Sequence, residues 1–276
     1  MRNLKLQRVI IASVVALSFC QVTACDQESG SRVIIAGSTS VQPYIEILAE
    51  AYAIERPEIE IDVQGGGSSA GITAAMSKTA DIGMSSRVLK DEEQDLWSIE
   101  IAKDGLAIII NPNNPINDLS LEQVCEIYTQ GITNWSEVGW GTTKQNNTKI
   151  HIITREDGSG TRSAFEELVM EGKQISPRAI VQDSNGAVRQ LVADDPNAIG
   201  FISLGLVENG EKPVKALSLD GVYPTHENVV NGQYQLTRPF LLIAFAEPTG
   251  AADEFIQYIM SEPGREILRS EGLIVE

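Results

Sequence analysis

The sequence predicts an α/β fold in which parallel strands alternate with helices. Short apolar runs such as residues 33–36 precede segments whose apolar residues recur every three to four positions, such as residues 44–52. Glycine, serine and threonine fill several of the turns that join them. Such alternation is typical of parallel sheets, which bind ligands beyond the carboxyl ends of the strands, where helix N-termini gather.

The first residues are typical of an export signal. Arg2, Lys5 and Arg8 precede an apolar run at residues 9–19, which is far shorter than the roughly 20 residues needed to cross a bilayer. The run ends at Gln21-Val22-Thr23-Ala24-Cys25, which resembles a bacterial lipobox. Ordinary signal cleavage beside an incidental cysteine is the alternative.

This leader implies a lipoprotein in the periplasm or at the cell surface. We expect residues 1–24 to be removed as the signal, Cys25 to carry the lipid that anchors the protein to a membrane, and residues 25–31 to form a polar tether. Cys125 is then the only other cysteine of the mature chain. An intramolecular disulfide is therefore excluded, and the fold depends on its hydrophobic core.

The acidic composition excludes nucleic acid as a partner. The whole chain has a formal charge of −17, and removal of Arg2, Lys5 and Arg8 with the leader leaves 18 basic against 38 acidic residues, a net charge of −20. Such a surface repels nucleic acid and anionic membranes. The acidic surface is still compatible with the binding of a buried anion. Distant surface charges are screened over about 10 Å, so the hydrogen-bond donors next to the anion determine its binding.

The first part of the chain alternates strands with helices. We expect strands at residues 33–36, 59–63, 81–86 and 106–110, and helices at residues 44–52 and 70–77. The strongly apolar strand at 106–110 ends at Asn111-Pro112-Asn113-Asn114-Pro115. We interpret this cluster of asparagine and proline as a hinge or domain boundary.

The remainder of the chain continues the same pattern. We expect helices at residues 121–129, 161–170, 187–193, 251–260 and 264–270, and strands at residues 150–154, 199–202 and 240–245. A mature chain of about 250 residues is long enough for one large domain or two medium ones.

Three strand-to-helix turns share one composition. They are Gly37-Ser38-Thr39-Ser40, Gly67-Ser68-Ser69 and Arg155-Glu156-Asp157-Gly158-Ser159-Gly160-Thr161. Glycine lets a ligand approach the backbone, hydroxyls donate hydrogen bonds, and helix N-termini favour anions. Any one turn alone is more simply a helix cap, which stabilises by about 1 kcal/mol. The three together predict an oxyanion site.

Arg155 is the charged residue that this hypothesis singles out. A guanidinium group directs two donors onto a tetrahedral oxyanion and stays charged at every physiological pH. The alternative is a surface salt bridge with Glu156, which would contribute about 0–1 kcal/mol.

Six segments occur in order between about residue 32 and the C-terminus. They are Gly37-Ser38-Thr39-Ser40-Val41-Gln42-Pro43, Gly66-Gly67-Ser68-Ser69-Ala70-Gly71, Asp81-Ile82-Gly83-Met84-Ser85-Ser86-Arg87, Gly131-Ile132-Thr133-Asn134-Trp135, Arg155-Glu156-Asp157-Gly158-Ser159-Gly160-Thr161-Arg162 and Ala198-Ile199-Gly200-Phe201-Ile202-Ser203. Together they resemble the PstS-type phosphate-binding proteins of phosphate ABC transporters.

The resemblance implies the periplasmic-binding-protein fold, an α/β fold of two lobes with a ligand cleft between them. Lobe one would comprise residues 32–110 and about 225–276, and lobe two about 111–224, with the return crossing between residues 219 and 240. Such a protein is no enzyme and needs no cofactor or metal. It would be a monomer that captures inorganic phosphate and presents it to an ABC permease and its ATPase.

Carried over by position, the resemblance also implies which residues bind phosphate. They are Thr39, Ser40, Ser68, Ser86, Arg87, Arg155, Asp157, Ser159, Gly160 and Thr161. Asp157 is expected to pair with Arg155. Arg87 would add a second cation or would pair with a neighbouring acid such as Asp91 or Glu92.

Ser86 departs from the family pattern. Many members carry an aspartate at this position, which accepts the hydrogen of protonated phosphate and so rejects sulfate, because an unpaired buried acceptor is costly. Rejection of sulfate would then depend on Asp157, Glu156 or Ser86 as the acceptor, or it would be weaker.

Two further functions are compatible with the sequence. The same fold could bind a different, sulfate-like oxyanion or act in signalling or adhesion. Alternatively, Gly67-Ser68-Ser69-Ala70-Gly71 fits the nucleophile turn of a serine hydrolase, in which Ser69 would act with an acid and His226.

Overall fold

The computed structural model describes residues 31–140, 148–208 and 212–275. The expected signal, the lipidation site at Cys25 and nearly all of the tether lie outside these residues. Within them, every helix is too short or too polar to cross a membrane.

Strands and helices alternate along most of the chain, as predicted. The strands are β1 (Ser31–Gly37), β2 (Ile59–Gly65), β3 (Ile82–Ser85), β4 (Trp97–Ile110), β5 (Asp118–Leu119), β6 (His151–Arg155), β7 (Ile180–Gln182), β8 (Ala198–Ser203), β9 (Lys215–Ala216), β10 (Ser218–Leu219) and β11 (Thr237–Ala244). The helices are α1 (Gln42–Glu55), α2 (Ser68–Met76), α3 (Leu121–Thr129), α4 (Gly160–Leu168), α5 (Asn185–Asp194), α6 (His226–Val230), α7 (Ala251–Met260) and α8 (Glu262–Ser270).

One continuous sheet runs through the molecule in the order β2-β1-β3-β11-β4-β8-β6-β7, and β9 also pairs with β4. Both ends of the sheet are parallel as expected, since β1 pairs in parallel with β2 and β3, and β6 with β7 and β8. The centre is antiparallel, because β11 runs against both β3 and β4, and β4 runs against β8.

Two main hydrophobic cores divide this sheet into two lobes. In the first lobe α1, α7 and α8 pack on β1, β3, β11 and the first part of β4. In the second lobe α3 and α4 pack on β6, β8 and the last part of β4. A further cluster places α5 against the other face of the second lobe's sheet.

The chain changes lobes inside β4 and at the start of β11. Ala102 lies in the first core, whereas Leu106 lies in the second. On the return, Leu236 lies in the second core and Phe240 in the first. Residues 103–105 and 237–239, which pair with each other, therefore form the crossing between the lobes.

The boundary between the lobes lies at residues 103–105 and 237–239, whereas the sequence analysis expects it at about residues 110 and 225. The Asn111–Pro115 segment is not the crossing, because the Asn111 amide donates to the carbonyls of Val192 and Ala193 within the second lobe. β4 also begins nine residues before the expected start at Leu106. In its first part, exposed Ser98 and Glu100 alternate with half-buried Trp97 and Ile99, so only its apolar end stands out in the sequence.

Candidate functional site

The carboxyl ends of three neighbouring parallel strands meet at one point of the first lobe. Gly37 at the end of β1 is in register with Gly65 of β2 on one side and Met84 of β3 on the other. Because the three strands end together, the turn after each of them reaches the same place. The hydroxyls of Ser38, Ser40, Ser68 and Ser86 gather there, and all four residues are buried.

These serines form a connected set of hydrogen bonds. The Ser38 hydroxyl donates to the Ser86 oxygen at 2.9 Å, and the Ser86 backbone N–H donates to Ser68 Oγ at 3.0 Å. We call the buried Ser38, Ser40, Ser68 and Ser86, together with Ser159, Gly160 and Thr161 of the second lobe, the cradle.

The second lobe closes the cradle with the N-terminus of α4. Ser159 is the N-cap, and its Oγ accepts from the Arg162 backbone N–H at 3.2 Å. The first intrahelical bond runs from Ser163 to Ser159 at 3.0 Å, so the helix itself does not use the N–H groups of Gly160 and Thr161. Such N–H groups and the helix dipole favour an anion.

Direct contacts across the cleft show that the two lobes are closed. Ser40 Oγ lies 2.9 Å from Thr161 Oγ1, and the Ser69 N–H donates to the Gly158 carbonyl at 3.0 Å. At the N-terminus of α5, the Asn185 amide donates to Ser40 Oγ at 2.9 Å. Asn185 was not among the expected site residues, because its Ser-Asn-Gly turn resembles a plain cap.

Arg155, at the end of β6, is buried and has one free donor. Its Nε and Nη2 each donate to one oxygen of Glu156 at 2.9 Å. The carbonyls of Gln182 and Asp183 accept from the same two nitrogens at 3.2 and 3.0 Å. Nη1 is buried and has no hydrogen-bond partner. A buried unpaired donor on a cation is costly, which indicates that a ligand completes the site.

A second guanidinium group, that of Arg238, was not expected from the sequence. Its side chain is 2% exposed, and its Nε and Nη2 donate to one oxygen of Asp104 at 3.1 and 2.9 Å. Nη2 also donates to Ser40 Oγ at 3.0 Å, and Nη1 lies 3.4 Å from Ser86 Oγ. Arg238 therefore contacts the cradle directly.

The Arg238–Asp104 pair lies at the crossing between the lobes. The two residues face each other in the register of β11 and β4, and Ser203 at the end of β8 donates its hydroxyl to the other Asp104 oxygen at 2.9 Å. Burial raises the pKa of Asp104 and lowers the pKa of Arg238. The positive charge of Arg155 also lowers the pKa of Arg238, so the two cations are close enough to repel each other.

Two of the expected site residues have other partners. Both terminal nitrogens of Arg87 donate to Glu93, at 2.7 and 2.8 Å, so this arginine pairs with a neighbouring acid. The expected pairing of Asp157 with Arg155 is wrong. The Asp157 side chain is 92% exposed and pairs with Arg162 at 2.5 Å, because Glu156 already covers Arg155.

The buried Arg87–Glu93 pair should make the first lobe sensitive to acid. Arg87 lowers the pKa of Glu93 in the folded protein. The pair therefore contributes its full stabilisation above the ordinary glutamate pKa of about 4.3, and this stabilisation is lost as the pH falls through the lower pKa of Glu93 in the folded protein. We expect Glu93→Gln to cost about 3 kcal/mol at neutral pH and to flatten the acid limb of a plot of urea unfolding free energy against pH. An unchanged acid limb would contradict this assignment.

The residues of a serine hydrolase do not come together. Ser69 lies 3.5 Å from Nη2 of Arg87. His226 opens α6 and lines a different cavity with Thr225, Ser270 and Glu271. In the described part of the chain, no group of three or more histidine, cysteine or acidic residues is placed to hold a metal ion.

Comparisons with known proteins agree with this geometry. Residues 24–263 match the model of the PBP superfamily domain. The phosphate-binding protein PstS of Bacillus subtilis is 31% identical over 254 residues, which cover 90% of this chain and 82% of that protein.

Two solved structures are also similar. A putative phosphate ABC transporter substrate-binding protein from Clostridium perfringens, solved with bound phosphate, has a TM-score of 0.82 and 42% identity, covering 89% of this chain and 100% of that one. An ABC-type phosphate transport receptor from Vibrio cholerae has a TM-score of 0.71 and 38% identity, with coverage of 88% and 100%. These relatives are non-enzymatic carriers, so the hydrolase alternative is wrong. The chain belongs to the PstS phosphate-binding protein family of the periplasmic-binding-protein superfamily.

Proposed function

We propose that this protein captures inorganic phosphate in the cradle, outside the cytoplasmic membrane, and presents it to an ABC permease and its ATPase. The observation that carries the proposal is the buried and unpartnered Nη1 of Arg155, beside a second buried guanidinium group. The relative from Clostridium perfringens, whose structure contains phosphate, supports the choice of ligand.

The proposed ligand contacts come from both lobes. Thr39, Ser40, Ser68 and Ser86 would donate from the first lobe and Thr161 from the second. Gly160 and Thr161 would add the backbone N–H groups of the α4 N-terminus, which Ser159 holds in place as the cap. Arg155 and Arg238 would supply the positive charge. Arg87 and Asp157 are left out, because their charges are engaged by Glu93 and Arg162.

The finer points of localisation and assembly also remain proposals. We propose that cleavage after Ala24 and lipidation of Cys25 anchor a monomer to a membrane, and that the lobes close by bending at the crossing of β4 and β11. The regular pairing of residues 103–105 with residues 237–239 at this crossing supports a bend rather than a loose loop.

Calorimetric titration of the purified protein with inorganic phosphate tests the ligand assignment. We expect one site per chain, with binding strong enough to displace the hydrogen bond between Ser40 and Thr161. A protein that is folded by circular dichroism but gives no heat with phosphate would contradict the proposed function.

Gly160→Ala should separate closure from folding. A Cβ at Gly160 would lie 2.2 Å from Ser68 Oγ and 2.6 Å from Ser86 Oγ, both on the opposite lobe. The closed form should therefore be blocked, and we expect phosphate affinity to fall at least tenfold, or about 1.4 kcal/mol, while the thermal midpoint of the empty protein changes little.

Gly186→Ala is the matched control for this variant. Gly186 also lies in the first turn of a helix, but a Cβ there would meet nothing within 4 Å. Its phosphate affinity should equal that of the wild type. Equal affinities of the two variants would show that closure at Gly160 is not required for binding.

A further inference from the structure

The cradle presents hydrogen-bond donors to its ligand, and the carboxylates beside it are directed at the protein's own arginines. We propose that it is therefore a site for tetrahedral dianions in general, which binds sulfate in the same cradle as phosphate and binds phosphate as its dianion. This inference rests on the proposed function and makes it more specific, because it names the charge state and the class of anion.

The first step concerns the carboxylates. Among the described residues, Asp104 and Glu156 are the acids paired with the two buried guanidinium groups of the site. Oδ2 of Asp104 accepts twice from Arg238, and Oδ1 accepts from the Ser203 hydroxyl. Each oxygen of Glu156 accepts from Arg155. Both carboxylates are thus directed at the protein's own arginines.

The geometry of the guanidinium groups places these acids on the side away from the free donor. In both Arg155 and Arg238, the carboxylate occupies the edge formed by Nε and Nη2. Nη1 lies on the other edge of the same planar group. In Arg155 this nitrogen has no partner, and in Arg238 it lies 3.4 Å from the Ser86 hydroxyl. The acids therefore orient the cations and do not reach past them.

The second step concerns the hydroxyls. Ser40 Oγ accepts from the Asn185 amide and from Arg238 Nη2. A hydroxyl has two lone pairs and one hydrogen, so Ser40 has only its hydrogen left to give. Ser40 is therefore the donor in its 2.9 Å contact with Thr161 Oγ1.

The neighbouring serines are held in a similar way. Ser68 Oγ accepts from the Ser86 backbone N–H. Ser86 Oγ accepts from the Ser38 hydroxyl and lies beside Arg238 Nη1. Fixed N–H and O–H donors thus occupy one lone pair of Ser68 Oγ and both lone pairs of Ser86 Oγ, which favours these two hydroxyls as donors to a ligand.

A site of this kind distinguishes anions by their protons. Sulfate is a dianion with no proton at neutral pH, and every oxygen can accept. The phosphate dianion carries one proton and the monoanion carries two. Each of these O–H groups needs an acceptor in the site, because an O–H donor that is buried without a partner is costly. The difference between sulfate and the phosphate dianion is at most about one hydrogen bond, so we expect their dissociation constants to lie within about tenfold of each other.

The experiment is calorimetric titration of the purified full-length protein with sodium phosphate and, separately, with sodium sulfate. Both titrations are made at one pH above and one pH below the second ionisation of phosphate. We expect sulfate to bind within about tenfold of phosphate at the higher pH. We expect phosphate affinity to fall at the lower pH while sulfate affinity stays constant, because sulfate keeps its charge over this range.

The outcomes separate this inference from the proposed function. Absence of phosphate binding at the higher pH would overturn the proposed function. Phosphate binding at the higher pH together with sulfate binding that is absent or more than about a hundredfold weaker would overturn this inference and leave the proposed function intact. A parallel fall of both affinities at the lower pH would also overturn it, since the titrating group would then belong to the protein.

A variant that adds an acceptor provides an independent test. Ser86→Asp introduces a carboxylate into the cradle, and we expect it to weaken sulfate binding at least tenfold more than phosphate binding. Equal losses for both anions in a variant that melts like the wild type would count against the inference. If the variant is not folded, the wild-type titrations alone decide.

Discussion

Replacing Arg155 by alanine is expected to weaken phosphate binding at least about a hundredfold. The side chain is 1% exposed, and its Nη1 has no partner in the protein. Removing one member of a buried, hydrogen-bonded charge pair costs about 2–5 kcal/mol, and each factor of ten in affinity corresponds to about 1.4 kcal/mol. Calorimetric titration with phosphate measures the effect, and an affinity equal to that of the wild type would contradict the site assignment.

Two further variants make this result specific. Arg155→Lys keeps a positive charge but cannot bridge Glu156 and the two backbone carbonyls while leaving a nitrogen for the ligand, so we expect it to recover only part of the affinity. Arg32→Ala removes an arginine that is 54% exposed and pairs with Asp62 on the surface. We expect it to bind phosphate normally, which excludes a general effect of net charge.

Replacing Arg238 by methionine is expected to reduce both phosphate affinity and stability. Affinity should fall at least about a hundredfold, because Nη1 and Nη2 reach two cradle hydroxyls. Stability should fall by about 3–5 kcal/mol, because Asp104 would remain buried without its partner. Urea unfolding without phosphate measures the stability, and calorimetry measures the affinity.

The double variant Arg238→Met with Asp104→Leu separates these two effects. Replacing both members of a buried ion pair by apolar residues is often neutral for stability, so the double variant should recover much of the lost unfolding free energy. It should not recover phosphate binding. A double variant that bound phosphate like the wild type would show that Arg238 supports the fold and does not bind the ligand.

The sequence revealed the parts of the site that are local in the chain. The turns at Ser38, Ser68 and Ser159 combine glycine and hydroxyl residues directly between a strand and a helix, and Arg155 lies in the last of them. Their chemistry and their position follow from the same few residues. The alternation of apolar runs and amphipathic segments likewise indicated most of the strands and helices.

The sequence did not reveal the parts that depend on contacts between distant segments. Arg238 and Asp104 are 134 positions apart and meet only because β11 pairs with β4. In the sequence, this pair is visible only as one acid, Asp104, just before the apolar run of β4 and one arginine, Arg238, just before the apolar run of β11. The choice between Glu156 and Asp157 as the partner of Arg155 depends on side-chain direction in a turn, which residue type alone does not determine.

The crossing between the lobes has a mechanical consequence. The two connections are neighbouring strands of one sheet, hydrogen-bonded to each other on both sides of the Asp104–Arg238 pair. A two-stranded ribbon twists and flexes over several residues, but it does not swivel freely about one bond. Opening of the cleft is therefore a limited elastic rotation with a restoring force. We therefore expect the two lobes to move relative to each other through a limited range of angles.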